Sequence, residues 1–447
     1  MHIPKHNKLQ FDLNSSSFLM VIQHLLCPSS KLATFNKQQN YINLPKVQLN
    51  HLYRSLDILC AEKNAIESHV FNMNRKLYNM QVDVVFYDVT TFHFESVKKD
   101  SLKDFGFSKN NKLNEVQVVF SMYIDRDGRP VGYELFSGNT FEGKTLECAL
   151  EAIEKKFGIR NVIIVADRGI NSKFNLKKIV DKKYGYIFSS RIKNMSKIIQ
   201  EEIFNKNGYV ELSKNPEDKY CYKIIDYINK VKDTDGEIKL PEKLIVTYST
   251  KRARKDKADR KRFLDKANFL LQNKSLIKSS SKRGGKKYLK ETSKTDWVLD
   301  SRLITKDEQF DGFYGIQTNT TNLSVEEILD AYHGLWKIEE SFKIMKSTLE
   351  VRPIFHWTEN RIKGHFVICF LAFLLERTLE LKLKHAEIVA SVQNIRDAIN
   401  SLQFAEVEFN KKKFFIKTKN TELASKILRN LKIPPPKNIT LSTNLNI

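Results

Sequence analysis

Three acidic residues occupy positions where sequence preferences disfavour an acid. Asp88 interrupts the β-branched and aromatic run "VDVVFYDVTTF" (82–92), and strand alternation puts it on the face of Phe86 and Thr90. Strand interiors are poor in Asp; the bland explanation is a local hydrogen bond to Thr90. Asp167 closes the apolar run "VIIVAD", just before Arg168 and Gly169. Ligands of open sheets gather beyond the carboxyl ends of parallel strands, although an Asp there also serves to cap a following helix. Glu339 lies in "YHGLWKIEESFKIMK" (332–346). Read as one helix beginning near Ser324, this segment lines up positions 328, 332, 335, 339, 342, 346 and 349 on a single face. Five of the seven are apolar or aromatic, and Glu339 and Lys346 are the exceptions, so a buried carboxylate is expected. The alternative is an ion pair with Lys346 or a neighbour at the rim of the core.

A buried ionised carboxylate costs several kcal/mol unless it is paired or binds a metal. Were the first two strands neighbours, Asp88 and Asp167 would lie ~5 to 10 Å apart, and a helix on that sheet would bring Glu339 alongside. Three convergent carboxylates raise one another's pKa, and a divalent cation resolves the conflict. Oxygen ligands suit Mg²⁺ or Mn²⁺. Two such ions ~3.5 to 4 Å apart activate a nucleophile and stabilise the leaving oxygen of a phosphodiester.

The elements that must position these residues follow from pattern. Residues 1–78 read as a helical region, clearest over "VQLNHLYRSLDILCAEKNAIESHVFNMNRKLY". Residues 79–192 give a strand, a hairpin about Asp127-Gly128, an amphipathic helix ending at Gly158, and a buried-type strand; a helix and the strand "GYIFSSRI" follow. That order predicts an α/β fold with a mixed sheet flanked by helices. Residues 193–305 form a basic, mostly β insertion, with strand-like "KLIVTYST" and "WVLDSRLIT" flanking the runs "KRARKDKADRKR" (251–262) and "SSSKRGGKKYLK" (279–290). Residues 306–405 resume the core: Ser324 and Glu327 make a capping box, and "RIKGHFVICFLAFLLERTLELKLK" is apolar enough to pack inside. Residues 406–447 read as a short basic tail.

Of 447 residues, 75 are Lys or Arg and 52 Asp or Glu, a formal charge of +23. Such an excess points to a polyanionic partner; a Lys-rich surface set by codon bias is the plain alternative. The basic runs are either solvated faces or a DNA-backbone surface. Five scattered cysteines without a CxxC pair argue against a disulfide framework and a structural zinc site. The N-terminus has no signal-type apolar core, and "FVICFLAFLL" (366–375) is about half of a membrane span. A soluble cytoplasmic protein, with no membrane partner, is expected. No nucleotide-binding GxxxxGK[ST] segment is present.

From "FYDVTTF" to "GYIFSSR", and again from "YHGLWKIEESFKIMKSTLEVRP" to "RIKGHFVICFLAFLL", the chain resembles bacterial insertion-sequence transposases of the DDE type, with an RNase H-like core. The subgroup it is similar to, of the insertion-sequence-4 type, carries Tyr, two residues, Arg, three residues, Glu, six residues, Lys. Tyr332, Glu339 and Lys346 match, whereas Leu335 stands at the Arg position. The resemblance implies an RNase H-like five-stranded mixed sheet and metal binding by Asp88, Asp167 and Glu339, with two Mg²⁺ or Mn²⁺ ions. It also implies phosphate contacts from Tyr332 and Lys346. The family's insertion before the Glu falls in the longer gap, 339 − 167 = 172 residues against 167 − 88 = 79. By analogy Arg252, Arg254, Lys255, Lys282 and Arg283 would contact DNA. Implied partners are double-stranded DNA, both transposon ends and target, and a second copy of the chain in the DNA complex; nucleoid association follows when DNA is bound. The N-terminal region is short for this type, which suggests that part of an end-recognition domain is missing. Two other readings share the carboxylates or the DNA: an RNase H-like nuclease without strand transfer, and a catalytically dead DNA-binding derivative.

Overall fold

In the computed structural model, residues 9–42, 44–78, 80, 82–106, 114–213, 217–233, 236–280, 284–293 and 296–442 are described. The chain divides into two compact units: Met1–Ile163 with His333–Ile447, and Ile164–Tyr332. The architecture is mixed α/β, with strands flanked by helices, consistent with the RNase H-like expectation.

The first unit opens with helices α1 (Leu13–Leu26), α2 (Lys31–Lys37), α3 (Leu49–Ala61) and α4 (Lys63–Tyr78). Strands β1 (Val84–His93), β2 (Gln117–Ile124) and β3 (Pro130–Ser137) form an antiparallel meander in the order β3-β2-β1. Gly128, at φ +92°, provides the left-handed residue of the β2–β3 turn. All of β2 is buried, and in β1 every residue is buried except Asp88. Helix α5 (Leu146–Glu151) widens into a π-helical turn, Ala152–Lys156, and the segment closes at Gly158 with φ +64°.

The second unit contains β4 (Ile163–Ala166), α6 (Lys173–Asp181), β5 (Gly185–Ser189), α7 (Lys197–Phe204) and β6 (Val210–Glu211). Next come the long β7 (Tyr220–Asp233) and β8 (Gly236–Ser249), then α8 (Thr250–Gln272), β9 (Leu289–Glu291), β10 (Trp297–Leu299), α9 (Ser301–Gln309), β11 (Phe313–Thr318) and α10 (Val325–His333). Its strands run β4-β5-β11-β8-β7-β6, with β11 antiparallel to both β5 and β8. The strands β11, β8, β7 and β6 thus extend the sheet beyond β4 and β5, the last of the five core strands expected. The insertion is also less purely β than expected. The run 251–262 lies on a 23-residue helix, and "WVLDSRLIT" is a three-residue strand followed by α9.

The chain then returns to the first unit with α11 (Trp336–Ser347), α12 (Glu359–His385), α13 (Val392–Asn400), β12 (Phe404–Phe409), β13 (Lys412–Lys417), α14 (Glu422–Asn430) and β14 (Ile439–Leu441). The segment beyond 405 is thus a folded element with its own three-stranded sheet, β12-β13-β14, rather than a tail. The middle of helix α12, 366–374, is apolar all round, the mark of a buried helix. It packs Phe366 against Phe92 and Phe120 at ring separations of 5.3 and 5.6 Å, and Phe370 against Tyr133 at 5.2 Å. Gly364 lets α12 approach α3, because a Cβ there would stand 2.1 Å from the Leu56 carbonyl oxygen. Among the described residues no helix is long and apolar enough to cross a membrane.

One residue of α12 works against this core. Glu376 is 4% exposed, and neither carboxylate oxygen has a hydrogen-bond partner among the described residues. Burial pushes its pKa up to about 8 from an ordinary 4.5. A raised carboxyl pKa means stability that is complete below pH 4.5 and is lost as pH rises toward 8. Glu376→Gln, which mimics the protonated form, should therefore stabilise the protein by about 3 kcal/mol at pH 7, taking about 1.4 kcal/mol per pH unit. The gain should shrink toward pH 5. Urea unfolding of both proteins at pH 5, 7 and 8 checks it; a gain independent of pH would contradict the assignment.

Candidate functional site

Within the first unit, Asp88 opposes Met122 in the β1–β2 register. It is half-buried in an otherwise buried strand, and its Oδ1 accepts the Val89 backbone N–H at 2.7 Å. Two residues on, Thr90 Oγ1 accepts a hydrogen bond at 2.5 Å from Lys346 Nζ on α11, whose ammonium also lies 5.6 Å from the Phe92 ring centre. The β1 hydroxyl is thus held by the helix.

The single helix expected over 324–349 is two helices, α10 and α11, separated at Gly334–Leu335. The capping box is present as expected: Ser324 N–H donates to Glu327 Oε2 at 2.8 Å, and Glu327 N–H donates to Ser324 Oγ at 3.2 Å. The break changes the burial of the signature residues. On α11 the buried face is Ile338, Ser341, Phe342, Ile344 and Met345, while Glu339 is exposed. The expectation of a buried Glu339 is therefore wrong: a heptad stripe projected through a broken helix assigned it to the core. Among the described residues its carboxylate makes no ion pair. The adjacent Glu340 does, with Arg377 at 3.3 Å. Glu339 and Lys346 remain seven residues apart on one stripe of α11, and that stripe delivers Lys346 to the Thr90 face of β1. Leu335, at the signature's Arg position, is 7% exposed.

Within the second unit, Asp167 is exposed in the turn directly after β4. It does not cap α6, whose N-cap is Ser172. The turn is pinned from several sides. Ile170 N–H donates to the Asp167 carbonyl at 3.1 Å, Arg191 Nη2 to the Arg168 carbonyl at 3.1 Å, and Asn175 Nδ2 to the Ile170 carbonyl at 2.8 Å. Tyr332, at the end of α10, shares its hydroxyl with Tyr314 of β11, which in turn bonds Ser189 Oγ at 2.6 Å. Burial first, then the Tyr314 hydroxyl and the Asp167 carboxylate, hold the Tyr332 phenol well above its ordinary range. Asp167 and Tyr332 therefore share one electrostatic environment.

The basic face of α8 also belongs to the second unit. Arg252, Arg254 and Lys255 are exposed. Arg252 places its guanidinium 4.3 Å from the Tyr314 ring centre, and Arg254 pairs with Asp218 at 3.7 Å. Lys282 and Arg283 lie outside the described residues.

The donor chemistry of Asp88, Asp167 and Glu339 suits a hard divalent cation. The three are divided between the two units, and among the described residues no group of three or more His, Cys, Asp or Glu is gathered so as to hold a metal ion. The sequence reading did not single out Tyr314, Asn171, Gln317 or Glu242. The signal for Glu242 was the one that flagged Asp88, an acid inside a strand.

Residues 81–375 match the family described as "Transposase DDE domain". No curated protein matches the chain. Among solved structures, one described as "Mos1 transposase paired-end complex with left transposon end" matches at 11% identity and a TM-score of 0.18. A second, "Crystal structure of the Mos1 mariner paired end complex with Mn", matches at 12% identity and the same TM-score. Each match covers 41% of this chain and 61% of the other, less than two thirds of its length. Similarity at that level carries no inference about this chain.

Proposed function

Because this chain belongs to the transposase DDE domain family, we propose that it is a DNA transposase of a bacterial insertion sequence, binding the terminal inverted repeats of its element and cutting there. The observation that carries the proposal is the extent of the family match: residues 81–375 enclose Asp88, Asp167, Glu339, Tyr332 and Lys346 together. The net charge of +23 and the exposed basic face of α8 support double-stranded DNA, ends and target alike, as the partner.

In this reading Asp88, Asp167 and Glu339 would hold Mg²⁺ or Mn²⁺, whose chemistry there is activation of water and stabilisation of the leaving oxygen of a phosphodiester. Hydrolysis frees a 3′-hydroxyl, which then attacks target DNA. Lys346, held at the β1 face by Thr90, and Tyr332, tethered through Tyr314, would contact phosphates of the transposon end. Arg252, Arg254 and Lys255 would track the backbone of the end DNA. Pairing two ends calls for two copies of the chain, acting in the cytoplasm on the nucleoid.

The test is incubation of the purified protein with labelled DNA bearing the element's ends, with Mg²⁺, Mn²⁺ or EDTA. Metal-dependent cleavage followed by joined strands supports the proposal. Nicks that never join would replace it with a hydrolytic nuclease. End binding that persists in EDTA, with no cleavage under either metal, would replace it with a DNA-binding derivative.

A further inference from the structure

The second unit buries an acid that the proposed chemistry does not use. Glu242 of β8 is 4% exposed and accepts four hydrogen bonds. Tyr186 of β5 and Tyr227 of β7 donate their hydroxyls, Asn229 of β7 donates Nδ2 at 3.1 Å, and Gln317 of β11 donates Nε2 at 3.2 Å. Burial raises the Glu242 pKa and the four donors oppose the rise.

This network has a direction. A carboxylate only accepts, so Glu242 draws the amide nitrogen of Gln317 toward itself and leaves Gln317 Oε1 facing the other way. That oxygen accepts from Asn171 Nδ2 at 2.9 Å, and the same amide nitrogen donates to the Ser189 carbonyl at 2.8 Å. Of the six residues in the chain from Tyr227 to Asn171, only Asn171 lies outside a strand. It sits where the Asp167–Ile170 turn ends. Apolar residues of similar volume hold a sheet at least as well as a buried polar cluster, so cohesion of the strands does not account for the network. Among the described residues, Asn171 carries the network out of the strands to the end of the turn that presents Asp167.

We propose that Glu242 is a positioning residue for Asp167: through Gln317 and Asn171 it fixes the turn that aims the Asp167 carboxylate. The proposal rests on the reading of Asp167 as a cation ligand. It also makes the β7–β8 hairpin a support for that carboxylate, linking the insertion to the site by hydrogen bonds within one unit.

The experiment measures Mn²⁺ binding to the full chain without DNA, by electron paramagnetic resonance titration, alongside thermal midpoints without metal. The variants are Glu242→Gln, Gln317→Met, Asn171→Ala and Asp167→Ala. Removing an outer partner of a ligand typically weakens metal binding about 10- to 100-fold, and that loss is expected for Glu242→Gln, Gln317→Met and Asn171→Ala. The double variant Glu242→Gln/Gln317→Met should bind Mn²⁺ no worse than its weaker parent, since both cut one chain of bonds. Should a buried variant fail to fold, Asn171→Ala, at the half-exposed end, decides the matter. Lower thermal midpoints with unchanged Mn²⁺ affinity would make the network purely structural and overturn the proposal while leaving Asp167 a ligand. Wild-type affinity in Asp167→Ala, or no Mn²⁺ binding by the unsubstituted protein, would overturn the reading of Asp167 itself.

Discussion

Glu339→Gln should abolish metal-dependent cleavage of end DNA, whereas Glu340→Gln, one residue on, should leave the rate close to that of the unsubstituted chain. The two acids occupy the same turn of α11 but differ in every physical respect. Glu339 is exposed, makes no ion pair among the described residues and shares its stripe with Lys346, which reaches Thr90 beside Asp88. Glu340 is half-buried and committed to Arg377. Replacing Glu339 with its isosteric amide removes one negative donor from the proposed cation site without disturbing the buried face of Ile338, Phe342 and Met345. Outer-shell partners of metal ligands are worth about 10- to 100-fold, so loss of a direct ligand should exceed about 100-fold. Asp88→Asn should match it. Glu340→Gln removes a partly exposed ion pair and should cost no more than about 1 kcal/mol of stability. A Glu339→Gln protein that cleaves at the normal rate, with Glu340→Gln impaired, would move the third carboxylate one residue along the helix and dismantle the signature on which the assignment rests.

Legibility in the sequence tracked how local the determining physics was. The hairpin at Asp127-Gly128, the capping box at Ser324 and the burial of 366–374 depend on turn chemistry, a four-residue motif and unbroken apolarity, and all three are present, while Leu375 at the end of the apolar run is exposed. The break between α10 and α11 was not legible, because Gly334-Leu335 is a weak interruption in an otherwise helical pattern, and tertiary packing decides whether a helix runs through it. Projecting one helical face across that break produced a buried Glu339. The fold beyond 405 was missed for another reason: β12 alternates over Ala405–Phe409, but it and the Lys-rich β13 are short and largely exposed, so neither carries a buried apolar face. Of the candidate site, Asp88 drew attention by its misfit with β1, of which it is the one residue not buried, whereas the misfit read for Glu339 does not hold, since it is exposed on α11. The contacts around the candidate acids were not legible. The contact from Glu242 to Gln317 spans 75 positions, and that from Gln317 to Asn171 spans 146; no short-range pattern encodes either.

The first unit should lose its fold cooperatively on mild acidification, because three histidines are buried uncharged within it. His24 Nε2 lies 3.2 Å from Cys369 Sγ, and His365 Nε2 donates to the Val351 carbonyl at 3.1 Å. The His365 ring centre lies 5.5 Å from that of His24 and 5.4 Å from that of His356. Burial, then the charge of the buried Lys31, lowers the His24 pKa to about 3; the same causes, with Arg361, lower that of His356 to about 4. Burial and Lys31 also hold His365 well below its ordinary value, with His24 and His356 adding to the effect. A depressed pKa in the folded state gives stability that is fully present above the unfolded value of about 6.5 and is lost as pH falls through the folded value. At about 1.4 kcal/mol per pH unit, His24 and His356 together forfeit about 8 kcal/mol between pH 6.5 and 3, comparable to the whole stability of a typical domain at about 5 to 15 kcal/mol. Circular dichroism at 222 nm, followed from pH 7 to 3, should therefore show a cooperative loss of helix that begins below pH 6. His24→Gln, which cannot take up the proton, should move the midpoint to lower pH even if it lowers stability at pH 7. An unchanged acid midpoint in that variant, and in His356→Gln as well, would assign the transition to other groups and clear both histidines of any part in it.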